Sequence, residues 1–119
     1  MNKEDLDKIL ADHALWVNSS GEQGKMAELC GADLQHADLQ YADLRGADLQ
    51  HADLQYADLG RANLQYADLQ YADLRRAKFQ DADLRRAKFE GARLEGAIGF
   101  RFDDAPDPIE LRRKVADQI

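Results

Sequence analysis

The chain has 119 residues, 33% of them charged and 45% hydrophobic, with a formal net charge of −7, and this length points to one domain. One cysteine, Cys30, excludes an intramolecular disulfide, and no apolar run approaches the ~20 residues of a membrane span. Met1 to Asp5 carry acids and no apolar h-region, so no secretory signal is read there, and the cytoplasm is the expected location.

Residues 1–26 form the first predicted element, a helix with its linker. Leu6, Ile9, Leu10, His13, Trp16 and Val17 recur at helical spacing and predict an amphipathic helix over residues 3–17. Asn2 is its expected N-cap, with Asp5 three residues later. The polar run from Asn18 to Gly24 ends the helix and lets it fold over whatever follows. His13 is assigned to packing on the apolar face.

From Ala27 the chain changes character. Alanine recurs at every fifth position to Ala97, and fourteen consecutive units place Leu or Phe two residues after it. We number the five slots of a unit from its alanine. A period of five fits neither regular element. In an α-helix five residues turn about 500°, so successive leucines land about 140° apart and no stripe forms. In a flat strand an odd period throws successive leucines onto opposite faces. The leucines stay inside only if the backbone turns by the same angle after each unit, so the chain closes into stacked coils. The predicted core column is Leu29, Leu34, Leu39, Leu44, Leu49, Leu54, Leu59, Leu64, Leu69, Leu74, Phe79, Leu84, Phe89 and Leu94, with alanine beside it and the other three slots facing water. Regularly placed apolar residues also set the tract apart from a disordered one, despite a mean hydropathy of −0.64. The Asp or Asn in slot two of most units can accept from a nearby turn N–H, so the acidity is first a matter of turn chemistry.

The run Ala32-Asp33-Leu34-Gln35-His36, Ala37-Asp38-Leu39-Gln40-Tyr41, Ala42-Asp43-Leu44-Arg45-Gly46 resembles the pentapeptide-repeat proteins, whose unit is A(D/N)LXX. The likeness runs from Ala27 to Gly96. It implies an all-β solenoid, a right-handed quadrilateral β-helix with four units and twenty residues per coil. About 3.5 coils then stand roughly 17 Å tall at the strand spacing. One feature pulls the other way. Residues 31–44 are repeated letter for letter at 46–59, an echo of fifteen that would suit a triangular coil. We read the echo as segmental duplication and keep the square.

A twenty-residue coil stacks Asp58 under Lys78, Asp68 under Lys88 and Asp73 under Arg93. Residues 28–73 hold 9 acids and 2 bases, a net of −7, and residues 74–101 hold 4 acids and 8 bases, a net of +4, so the rod is electrically polar along its axis. The bases are expected to relieve repulsion between stacked aspartates. A basic end docking an acidic partner, such as the acidic end of another copy, is the alternative.

The repeat decays at Ala97-Ile98-Gly99-Phe100, giving a solenoid over residues 27–101 and a C-terminal segment over 102–119. Asp107-Pro108-Ile109-Glu110 predicts the start of a short helix. Phe100, Phe102, Ile109, Leu111 and Val115 are the candidate interface, either as a lid over the last coil or against a second copy, and end-to-end homodimers of the family favour the second copy.

No catalytic, cofactor or metal site is expected. His13, His36 and His51 lack ligands at metal spacing. Gly31, Gly46, Gly91 and Gly96 are single variable-slot residues and form no phosphate loop. Tyr41, Tyr56, Tyr66 and Tyr71 occupy slot five on four different sides, so they form no single patch. The expected function is a non-catalytic scaffold for an unknown protein partner, with no nucleic-acid or membrane partner. The alternative implied by the resemblance is a DNA mimic that binds DNA gyrase. The basic C-terminal coil, the short rod and the lack of an inserted loop oppose it.

Overall fold

The computed structural model describes residues 1–100. Helix α1 (Lys3–Asn18) leads the chain. Asn2 caps it by accepting the Asp5 N–H on its side-chain oxygen at 2.8 Å, and Glu4 and Asp5 face the positive end of the helix dipole. Leu6 and His13 are buried, Ile9 and Leu10 pack against the core, and Leu15 is half exposed.

The coils follow. Eleven parallel bridges join residues twenty apart, from Glu28–Asp48 to Lys78–Ile98. Pairing at twenty makes each coil four units, and the fifteen-residue echo sets no pairing. Each unit contributes one bridge residue, always slot two, so no continuous strand forms. This differs from the sheet-like walls expected of an all-β solenoid. The reason is the short side: a chain that turns every five residues has no room for a longer run.

The turn has a fixed form. The slot-three carbonyl accepts from the next alanine N–H, as in Leu49 O with Ala52 N at 3.1 Å. Slot five lies between these two residues and has positive φ in all fourteen units, from +57° to +73°. A closed four-residue turn with positive φ at its third position is type II, which favours glycine there. Only four units have it; the other ten carry His, Tyr, Arg or Asp in the left-handed region. Exposed Arg86, at φ 64°, gives a direct test. Arg86→Gly is expected to raise stability by about 0.5–1 kcal/mol, since glycine removes the Cβ strain. Urea unfolding midpoints measure it, and an unchanged or lower midpoint would contradict the strain.

In a middle coil every backbone donor of a unit has a partner, as residues 52–56 show. Ala52 N–H goes to Leu49 O, Asp53 N–H down to Ala32 O, Leu54 N–H up to Asp73 O and Tyr56 N–H up to Arg75 O. The Gln55 N–H has no carbonyl and goes to the Asp53 carboxylate at 3.2 Å. All ten described Asp or Asn residues in slot two make this bond to slot four. Asp68→Ala should therefore cost about 1 kcal/mol by leaving the half-covered Gln70 N–H without its acceptor, while Asp68→Asn should be close to neutral. Equal losses from both in chemical denaturation would show that charge, not the turn bond, matters at slot two.

Inside, all fourteen Leu and Phe residues of slot three are buried, most of them completely. The alanines from Ala47 to Ala97 are buried beside them, whereas Ala32, Ala37 and Ala42 of the first coil are half-buried. Each buried leucine contributes about 1.5–3 kcal/mol. At the far end Phe100 stacks on Phe79 with centroids 4.6 Å apart and meets Phe89 edge-on at 6.4 Å.

Candidate interaction surface

With slot three inside and slot one beside it, the chemistry of the rod lies in slots two, four and five. The twenty-residue register turns each slot into four columns. In slot five it places His36 beneath Tyr56, with ring centroids 4.9 Å apart and planes within 9°. Arg76 lies over the other face of Tyr56, its guanidinium carbon 5.9 Å from the ring centre. His51 stacks beneath Tyr71 at 5.2 Å. On a third corner Arg61 lies 5.7 Å over Tyr41 and donates to its hydroxyl at 3.1 Å. The four tyrosines are exposed and stand on different corners, but two are the upper halves of His–Tyr pairs. The sequence carries this signal, since 36 and 56, and 51 and 71, differ by one coil.

The charged columns pair differently from the stacking expected. Asp58–Lys78, Asp68–Lys88 and Asp73–Arg93 are bridge partners in register, yet none of the three is an ion pair within 4 Å. The shortest pairs lie inside single units, at Asp43–Arg45 (2.6 Å), Asp73–Arg75 (2.7 Å) and Asp83–Arg85 (2.7 Å), while Arg61–Asp81 in slot five spans two coils at 3.9 Å. Slots two and four point the same way two residues apart, so a slot-four arginine forks onto both carboxylate oxygens. The Arg45 and Arg75 hydrogen bonds hold the Asp43 and Asp73 carboxyls below their usual range. The charge of Arg93, one coil above, also lowers Asp73, though by less.

Hollows open on the surface of the described residues. One, of about 520 Å³, follows the missing side chain of Gly60 and is lined by Gln40, Tyr41, Asp58, Arg61, Gln80 and Asp81. Another, of about 450 Å³, is lined by Gln55, Tyr56, Arg75, Arg76, Glu95 and Gly96. A third, of about 330 Å³, lies between the start of α1 and residues 33–38. Among the described residues no His, Cys, Asp and Glu cluster is placed to hold a metal, and no helix is long and apolar enough to cross a membrane. Cys30 is exposed. Of the candidate interface, Phe100 points back onto Phe79 and Phe89, and Phe102, Ile109, Leu111 and Val115 lie outside the described residues, as does the expected C-terminal helix.

His13 does more than pack. Its Nδ1 accepts the Ala27 N–H at 2.9 Å, and its Nε2 lies 2.8 Å from the Arg45 carbonyl. Trp16 stacks on it at 5.6 Å.

These features define a class: a β-helical repeat rod, capped at its first coil by a helix and carrying its chemistry in outward columns. The family model described as pentapeptide repeats, in eight copies, matches residues 27–65 and 57–96, and the chain belongs to that family. Membership implies the right-handed, four-sided β-helix, with the pairing at twenty as its rung. The chain is similar to the pentapeptide repeat protein Rfr23 from the cyanobacterium Cyanothece 51142, at 30% identity over 59% of this chain and 55% of that one, with a TM-score of 0.51. HetL, a pentapeptide repeat protein involved in heterocyst differentiation regulation in Nostoc sp. strain PCC 7120, is 37% identical over 65% of this chain and 41% of its own, with a TM-score of 0.39. QnrB1, a plasmid-mediated fluoroquinolone resistance protein, is 23% identical over 75% of this chain and 55% of its own, also at 0.39. The chain thus spans about half the length of these proteins or less. No curated protein matches the sequence.

Proposed function

We propose that the protein is a non-catalytic interaction scaffold, a rod of about three and a half coils that holds side chains in fixed columns for a protein partner. The observation that carries this reading is the ordering of exposed side chains in slot five. The tier of His36, Tyr56 and Arg76 is stacked on itself although it faces water. Such preorganised Tyr and Arg lose little freedom on binding and are the residue types that anchor interfaces. Replacing the three with Ala should leave the leucine core untouched. Affinity capture from the native host with the parent protein and the triple variant tests it. Proteins retained by the parent and lost by the variant are expected, and identical retained sets would overturn the reading. Light scattering on the same samples reports whether the mass is 13.4 kDa or twice that, the second being expected for an end-to-end pair.

A second reading has one observation behind it. Glu28–Asp48–Asp68 and Asp33–Asp53–Asp73 form two acidic rows at bridge spacing, which can imitate duplex phosphates toward gyrase. The bases above residue 74 oppose it. Loss of supercoiling by purified gyrase at micromolar protein would favour it over the scaffold reading.

A further inference from the structure

In the coils a slot-one N–H is given to the leucine carbonyl three residues back, and a slot-four carbonyl accepts from the coil below, as Gln50 O does from Gly31 N. Two groups of the first coil lack these supports. Ala27 follows no earlier unit, and Arg45 O has no coil beneath it. His13 of α1 supplies the two missing partners from one ring. Because the Ala27 N–H is a donor, Nδ1 must accept, so the proton sits on Nε2 and is donated to Arg45 O. The ring is completely buried, and this bonding is open only to neutral imidazole.

We propose that His13 is a proton-operated latch: protonation at Nδ1 removes the acceptor of the Ala27 N–H and releases α1 from the first coil. Burial is the largest influence on the ring and pushes its pKa below the ordinary 6.5. The hydrogen bond to the Arg45 carbonyl and the charge of Asp43 act in the opposite sense, and the Arg45 guanidinium adds to the lowering. Asp43 and Arg45 are paired with each other, and Lys8 and Asp12 on the helix, Lys25 on the linker and Glu28 in the first unit are exposed to water. A group held neutral when bound and free to titrate when released binds more protons in the released state. The closed cap is therefore at full strength above pH 6.5 and weakens as pH falls below it. The edge that release uncovers has open backbone groups, of the kind that pairs with other chains.

Hydrogen exchange on the full chain tests the latch, with emission of Trp16, the single tryptophan, as a second readout. Between pH 7.5 and 5 the protection factors of α1 amides and of Ala27 should fall, by up to about 30-fold, the limit for one released histidine of pKa ~6.5. Those of Leu54 and Leu64, paired to the coil above, should hold. His13→Gln, whose amide can accept and donate but not titrate, should lose the pH response, and the double variant His36→Gln/His51→Gln should keep it. Unchanged α1 protection at pH 5, a parallel fall at Leu54 and Leu64, or a response that persists in His13→Gln would each overturn the proposal.

Discussion

Leu59→Asp is expected to abolish the folded rod. Leu59 has no exposed surface, and its column runs from Leu39 below to Phe79 above, both equally enclosed. The core around it holds only Leu, Ala and Phe, so an aspartate there meets no donor. Losing the leucine costs about 2–5 kcal/mol by itself, judged from Leu→Ala changes in cores. Burying an unpaired carboxyl, even after it takes up a proton, adds several more. Single domains have about 5–15 kcal/mol in total, and a solenoid unit is stable only through its neighbours, so a break in a middle coil leaves short stacks on either side. The expected result is loss of the cooperative unfolding transition and of the folded circular-dichroism spectrum. Leu59→Ala should retain a transition at reduced denaturant concentration. Gln35→Ala, at an exposed slot-four position, should stay within about 0.5 kcal/mol of the parent. A Leu59→Asp protein that melts with the parent would place the leucines outside.

The inside of the rod was legible because a period of five admits one way to bury a single column. The helix was legible for the same reason: Leu6, Ile9, Leu10 and His13 recur at its own period, and Asn2 caps it with the bond its side chain suggests. The slot-five turn was not. Tyrosine, histidine and arginine carry no mark of positive φ, and the four glycines, met singly, read as incidental. Nor was the charge pairing. Stacking twenty apart is correct as register, but backbone partners in a bridge point their side chains alike, while Arg75 two residues on can fork onto Asp73. The role of His13 was hidden for a deeper reason. It replaces bonds that every other coil gets from its neighbour, so it becomes visible only once the ladder is known and its first rung is seen to lack support.

Gly24→Ala should detach the cap while leaving the coils standing. The linker turns back on α1 here, with the Lys25 N–H donating to Asp12 O at 3.1 Å. Gly24 has φ +73°, and a Cβ on it would lie 2.2 Å from Asp12 O, 2.7 Å from Leu15 Cβ and 2.7 Å from Trp16 N. Two of these are backbone atoms of a helix and cannot move aside singly. Gly31 is the matched control: its φ is +69°, and a Cβ there meets nothing within 4 Å. Gly31→Ala therefore carries only the left-handed penalty, about 1 kcal/mol. Gly24→Ala carries that and a clash worth about 1–3 kcal/mol more. The excess falls on the contact between linker and helix, not on the leucine column. The expected protein shows Trp16 emission shifted toward that of an exposed indole at neutral pH, with α1 amides unprotected and Leu54 and Leu64 still protected. Gly31→Ala should keep the parent emission. If both substitutions cost the same and leave Trp16 unmoved, the tight crossing of the linker over α1 is not what holds the helix against the first coil.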